Sequence, residues 1–329
     1  MSESDLLKAL ITGGAGFIGS SLSEALVNLG WNLNILDNIS SGSRDNLVSL
    51  NGKKSVKLVV GDCTKKADVK KTLTDVDVVF HFSANPEVRL ELNNPRTCFK
   101  ENVFATYVLL EEMRRSRAHT MVFSSTSTVY GDAMKIPTPE DYTPLEPISL
   151  YGASKLASEA LITAYSHTYG MKAVILRLAN IVGPRSRHGI VKDFVTKLKK
   201  DSRELEILGD GSQTKSYVFI DDCIEAILKA YEAKGGRVEV FNIGSEDQIG
   251  VKRIAKIVCD EMGLKGVKFN FTGGLDGGRG WKGDVKSMLL DTAKLRSRGW
   301  RPGYNSEEAV RLTVRGVLGQ TAPSKLPTT

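Results

Sequence analysis

The 329 residues carry 45 Lys and Arg against 38 Asp and Glu, a formal net charge of +7, with 41% hydrophobic and 25% charged residues. That balance belongs to a globular chain large enough for one or two domains, and excludes collagenous, low-complexity and extended disordered classes. No long uncharged apolar run follows the acidic start Met-Ser-Glu-Ser-Asp, so neither a signal peptide nor a membrane span is expected.

In chain order, strands are predicted over Lys8–Thr12, Leu33–Leu36, Val56–Val60, Val76–Phe80, Met121–Ser124 and Ala173–Leu178. Helical patterns fill the gaps around 17–29, 66–73, 97–115 and 152–168. The alternation predicts an α/β fold, a doubly wound parallel sheet of Rossmann type. Its ligands belong beyond the carboxyl ends of the strands. After residue 180 the regularity breaks at Gly183-Pro184, Gly209-Asp210-Gly211 and the glycine-rich 273–283. Ile220–Tyr231 and Val251–Met262 read as helices, and Val238–Ile243 as a strand able to rejoin the sheet. The expected division is a dinucleotide domain over 1–178, rejoined by about 218–245, and a smaller substrate-binding lobe over 179–329. Thr321–Thr329, with two prolines, reads as a loose tail.

The first strand runs into Thr12-Gly-Gly-Ala-Gly-Phe-Ile-Gly19 and an amphipathic pattern of Phe17, Ile18, Leu22, Ala25, Leu26 and Leu29. Gly13, Gly16 and Gly19 fall where a strand must turn tightly into its crossover helix. Backbone N–H groups can then approach a pyrophosphate at the helix N-terminus; packing alone is the competing reason for such a turn. Asp37 ends the second strand at the distance expected of a carboxylate that holds the adenosine ribose diol. A carboxylate there repels a 2′-phosphate, which favours NAD over NADP, although Arg44 lies nearby.

Tyr151-Gly-Ala-Ser-Lys155 opens a helix with a predicted buried stripe of Leu156, Ala160, Leu161 and Ala164. Positions four apart share a helix face, so phenol and ammonium point the same way. The cation favours the phenolate and makes Tyr151 a usable base. Ser124-Ser-Thr-Ser-Thr-Val-Tyr-Gly131 places hydroxyls at the end of the fifth strand, where they can bond a substrate alcohol becoming a ketone. Cys63, Cys98, Cys223 and Cys259 lack CxxC or metal spacing, pointing to reduced thiols in a cytoplasmic protein without a metal. Lys192, Lys197, Lys199, Lys200 and Arg203 interleave with Val191, Phe194, Val195 and Leu198, as on a solvated helix face rather than a nucleic-acid surface.

Taken in order, TGGAGFIG, Asp37-Asn38 with SSG, Gly61-Asp62, HFSANPEVR at 81–89, Asn102, SSTSTVYG, YGASK, RLANIVGP, LGDGSQTKSY and GRGWKGD span nearly the whole chain. Together they resemble the extended short-chain dehydrogenase/reductases, within them the NAD-dependent nucleotide-sugar epimerase/dehydratase group, and most closely its UDP-glucose 4-epimerase-like members. The resemblance implies a cofactor set of Gly13, Gly16, Phe17, Ile18, Gly19, Asp37, Asn38, Ser41, Gly42, Asp62, Cys63, Phe82, Ser83, Ala84, Asn102, Ser124, Tyr151 and Lys155. It implies Tyr151 as base, Lys155 on the nicotinamide ribose and Thr126 as partner of the sugar oxygen. Thr126, Asn180, Lys215, Arg279 and Asp284 would meet the nucleotide-diphospho sugar. Departures are Thr126 where serine is frequent, Phe82-Ser83-Ala84 for Leu-Ala-Ala, Lys215 for an arginine, and Trp281 where arginine is common.

Dehydratases of this group carry acidic residues in the hydroxyl loop, because elimination needs a proton taken and one given. Here those positions are Ser127 and Thr128. The expected reaction is therefore NAD-dependent epimerisation at C4 through a 4-keto sugar, with UDP-glucose and UDP-galactose as the pair. Other nucleotide-sugar redox or dehydratase chemistry, and a catalytically silent NAD-binding regulator, are the alternatives. The resemblance also implies a homodimer through the 97–115 and 152–168 helices.

Overall fold

The computed structural model describes residues 7–86, 94–233 and 235–320. The acidic start, the end of the HFSANPEVR run and the tail 321–329 lie outside the described residues. Seven parallel strands form the central sheet in the order Val238–Ile243, Lys172–Leu178, Thr120–Thr126, Val78–His81, Lys8–Thr12, Asn32–Asp37, Val56–Val60. The order reverses at Lys8–Thr12, whose neighbours are the second and fourth strands of the chain. That reversal opens a crevice at the strands' carboxyl ends, and the glycine turn lies there. The predicted α/β doubly wound fold is what forms.

Both faces of the sheet are covered. On one, Leu10, Val79, Met121, Phe123 and Ile175 pack against Leu109 and Met113 of Ala105–Met113, Val69 of Lys66–Thr72 and Ile162 of Leu150–Tyr169. On the other, Ile11, Phe80 and Leu176 meet Leu22 and Leu26 of Phe17–Asn28 and Ile224 and Ile227 of Ile220–Glu232. This second cluster runs on into Phe194, Leu198, Ile254, Val258 and Val310, so sheet and C-terminal helices share one apolar core. Each fully buried side chain of this size contributes roughly 1.5–3 kcal/mol. Beyond residue 180, short strands pair locally: Asn180–Val182 with Tyr217–Phe219, Glu204–Ile207 with Lys268–Phe271, and Thr214–Lys215 between Ile249–Gly250 and Ser287–Met288.

Three details depart from expectation. Leu29 is 59% exposed rather than part of the first helix's stripe; the helix ends at Asn28, and Gly30 at φ +84° turns the chain away. In Leu150–Tyr169, Ala160 and Ala164 face outward, and the buried face is Gly152, Ser154, Lys155, Ser158, Glu159, Ile162 and Ser166. Leu156 and Leu161 of the predicted stripe are half-buried against the apolar cores, and the fully buried face is largely polar because it meets a polar site. The helix predicted near 97–115 forms over 95–113 but is π-helical over Phe99–Phe104.

Candidate active site

The glycine turn is shaped by contact. Gly13 has φ +70°, and a Cβ there would lie 2.7 Å from Ser83 N; only glycine lets the turn lie against the end of the fourth strand. A Cβ on Gly19 would fall 2.2 Å from Gly13 O, so Gly19 serves close packing of helix on turn. Gly16 begins the helix Phe17–Asn28 without a capping side chain. The first N–H groups of that helix therefore face the cleft uncapped, with the helix dipole positive toward it.

Asp37 is 8% exposed and accepts from Ala15 N at 2.9 Å and Ile39 N at 2.8 Å. Its carboxylate thus ties the glycine turn to the loop after the second strand. That loop holds Ile39 at φ +58°, a position few β-branched residues adopt. Gly42 lies behind the wall, where a Cβ would meet Ala15 O at 2.7 Å.

These elements border one cleft of about 570 Å³. Gly13, Gly16, Phe17, Ile18, Gly19, Asp37, Asn38, Ser41, Asp62, Cys63, Phe82, Ser83, Ala84, Ser124, Tyr151, Lys155, Asn180, Lys215 and Asp284 all line it. Four expected residues do not. Besides Gly42, Asn102 sits beneath the wall, accepting from Asn85 N at 2.8 Å and donating to Ser154 Oγ at 2.8 Å. Thr126, 8% exposed, has its Oγ1 3.2 Å from Thr128 N. Arg279 donates to Asp132 Oδ2 at 2.6 Å and to the Asp284 carbonyl. Arg187, His188 and Gln213 line the cleft outside the expected set, and so do Ser125, expected only within the hydroxyl segment, and Trp281, expected only as a departure from the family pattern. Only the glycine-proline start of 183–189 hinted that this segment was a loop at all.

Lys155 reaches through the wall and donates to Ser124 O at 2.7 Å. Its Nζ is 5.9 Å from the centre of the Tyr151 ring and 4.8 Å from that of Phe123. Burial pulls the ammonium down from 10.5 to about 7, while the charge of Glu159 one turn away holds it up. Beneath, His81 is pushed down to about 3, by burial first and then by Lys155. It stays neutral between Thr12 Oγ1 at 2.7 Å and Thr106 Oγ1 at 3.0 Å. Burial raises the Cys63 thiol to about 12, so it lines the cleft as an inert group.

At the far end, Lys215 Nζ lies 2.6 Å from Asp284 Oδ1 and 5.5 Å from the centre of the Trp281 ring. Asp284 also accepts from Gly280 N at 3.1 Å. The cleft thus runs from an anion-binding helix terminus, past a phenol and a buried amine, to a lysine paired with a carboxylate. A dinucleotide fits the first part, and an extended polar substrate the second. Among the described residues no cluster of His, Cys, Asp or Glu could hold a metal, and no helix is long and apolar enough to cross a membrane.

Residues 9–244 match the NAD dependent epimerase/dehydratase family. A putative UDP-glucose 4-epimerase of Methanocaldococcus jannaschii is 33% identical over 311 residues, covering 93% of this chain and 96% of the relative. A solved UDP-galactose 4-epimerase is 40% identical, with a TM-score of 0.84 over 95% of this chain and 99% of its own. A dTDP-D-glucose 4,6-dehydratase of Homo sapiens is 28% identical over 93% of this chain and 89% of its own.

Proposed function

The chain belongs to the NAD-dependent epimerase/dehydratase family, and from that premise we propose that it epimerises C4 of a UDP-hexose, interconverting UDP-glucose and UDP-galactose. The observation that carries this is the convergence of Tyr151 and Lys155 on the cleft that holds the glycine turn, beside a hydroxyl loop, Ser124 to Gly131, without a carboxylate. Elimination of water needs a further acid and base; reversible oxidation at one carbon needs a single base.

In this reading Gly13, Gly16 and the first N–H groups of the Phe17 helix hold the pyrophosphate of NAD, and Asp37 the adenosine ribose. Bound there, NAD supplies a reversible hydride acceptor. Tyr151 takes the proton of the C4 hydroxyl and returns it at the end of the cycle. Lys155, in its charged form, favours the phenolate and is itself held by the Ser124 carbonyl. Thr126, at the end of the same strand, belongs to the hydroxyl set that would bond the sugar oxygen. Lys215 and Asn180, which line the cleft, would meet the nucleotide-diphosphate portion. Remote binding of that portion keeps the keto sugar in place while its two faces exchange.

The homodimer expected through the 97–115 and 152–168 helices, which form over 95–113 and 150–169, is part of the proposal. It is supported by the exposure of Phe99 at 62%, Phe104 at 39%, Tyr107 at 43% and Leu150 at 46%. Light scattering of the purified protein measures it.

The decisive assay separates the products formed from UDP-, dTDP- and GDP-hexoses. Interconversion of UDP-glucose and UDP-galactose without net NADH is expected; a 4-keto-6-deoxy product or stoichiometric NADH would replace the proposal. Tyr151→Phe should lower turnover by about 10²–10⁴-fold with NAD still bound. Near-normal turnover in that variant would remove Tyr151 from its role.

A further inference from the structure

Residues 183–189, Gly-Pro-Arg-Ser-Arg-His-Gly, join the strand Asn180–Val182 to the helix Ile190–Lys200. The segment starts flush against the dinucleotide half. A Cβ on Gly183 would lie 3.0 Å from the Phe17 ring and 2.8 Å from the Ile220 side chain. Pro184 is backed by the last helix, where a Cβ on Gly316 would meet its Cγ at 2.4 Å. Gly189, at φ +97°, turns the chain into the next helix.

Between these ends two guanidinium groups reach across. Arg185 Nη2 donates to Glu24 Oε1 at 2.7 Å and Nη1 to Ser20 Oγ at 3.3 Å, both on the helix that leaves the glycine turn. Arg187 Nη1 donates to the carbonyl oxygens of Gly42 at 3.0 Å and Ser41 at 3.3 Å. That loop is itself pinned to the turn, since Ser43 N and Asn46 Nδ2 donate to Ala15 O at 3.0 and 2.9 Å. Ser186, Arg187, His188 and Gly189 share the cleft with Gly13, Gly16, Asp37 and Ser41.

We propose that residues 183–189 are a strap across the dinucleotide cleft, fastened by Arg185 and Arg187, and that it makes the cofactor a resident of the enzyme. The strap ties the C-terminal part to the helix that leaves the glycine turn and to the segment after Asp37, the two elements expected to hold NAD. Leaving the cleft then requires the Arg187 tether to part. Arg187 spends its hydrogen bonds on carbonyls, and among the described residues no carboxylate pairs with it. Its charge therefore remains on the wall of a cleft suited to a pyrophosphate, where attraction slows escape further. The inference concerns cofactor retention and stands whichever sugar is turned over.

The test is exchange of resident NAD in the purified holoenzyme against isotopically labelled NAD, followed by mass spectrometry of the nucleotide released on denaturation. Arg187→Ala should exchange about tenfold faster or more, as expected for loss of two bonds from a charged donor. Glu24→Gln, which lies outside the cleft, should also exchange faster by roughly two- to fivefold, because it weakens the Arg185 anchor. Folding is checked by circular dichroism, and Glu24→Gln carries the test if Arg187→Ala does not fold. Exchange at the wild-type rate in folded Arg187→Ala, or in Glu24→Gln standing alone, would overturn the strap. No sugar turnover is read, so this failure would leave the epimerase proposal in place.

Discussion

Arg177 Nη2 donates to Glu159 Oε2 at 2.8 Å, with each side chain only 6% exposed. Arg177 Nη1 also donates to Glu140 O at 3.0 Å, and its guanidinium lies 4.8 Å from the Tyr130 ring centre. Ser125 Oγ donates to the same carboxylate. The pair therefore fastens the helix of Tyr151 and Lys155 to the strand Lys172–Leu178, and the Ser125 bond fastens it to the strand that carries Ser124, whose carbonyl receives Lys155. Breaking a buried pair strands one charge, which costs about 3–5 kcal/mol. Glu159→Gln and Arg177→Met should each lose that much in urea unfolding, and the Glu159→Met/Arg177→Met double variant should recover part of it. Additive losses would mean that the two side chains do not act as a pair.

Lys155 makes stability depend on pH in a direction that can be worked out. Its pKa falls from 10.5 in an exposed lysine to about 7 on burial. Between those values the unfolded chain binds the proton and the folded chain does not, so this group's contribution rises with pH. Below pH 7 the fold carries a buried ammonium and its full penalty, which is gone above pH 10.5. In cofactor-free protein, Lys155→Met should therefore compare best with wild type at or below pH 7. Its relative stability should decline by about 2–5 kcal/mol toward pH 10.5. A pH-independent difference in urea unfolding would show that Lys155 keeps its proton throughout.

Gly19 and Gly13 meet through a gap that admits no side chain, since a Cβ on Gly19 would lie 2.2 Å from Gly13 O. The obstacle is backbone, so the helix itself must shift. Gly19→Ala should lower the midpoint of thermal unfolding, by about 1–3 kcal/mol of overpacking, and the purified protein should carry less NAD. Wild-type occupancy, read from the absorbance of nucleotide released on denaturation, would contradict this account of the turn.

The sheet was legible because parallel strands buried on both faces read as apolar runs, and the glycine turn because its residues are adjacent in sequence. Even the late strand Val238–Ile243 stood out by its composition, and it pairs with Lys172–Leu178. The misreading of Leu150–Tyr169 has a physical cause. Its fully buried face, with Ser154, Lys155, Ser158 and Glu159, meets a polar site, so the apolar stripe flanks that face: Leu156 and Leu161 pack half-buried against the cores while Ala160 and Ala164 are exposed. The Arg187 tethers and the Arg279–Asp132 pair join positions 145 to 147 apart in the chain. Contacts of that kind are set by how the loops meet, which no local pattern encodes.

Arg279 offers the last test, because its expected role and its present partner differ. The resemblance assigns it to the substrate diphosphate, yet it lies on Asp132 at 2.6 Å, with side chains 19% and 46% exposed. An ion pair this open is worth about 0.2–1 kcal/mol, small against a charge-assisted bond to a phosphate. A diphosphate can therefore draw the guanidinium away, at the cost of that pair. Asp132→Asn removes the competitor and should lower the KM for the nucleotide sugar by up to about fivefold. Arg279→Ala should raise KM, with kcat the less affected of the two. If KM stays unchanged in both variants, the diphosphate is held by the other wall of the cleft, and Arg279 serves only to keep the 273–283 loop on Asp132.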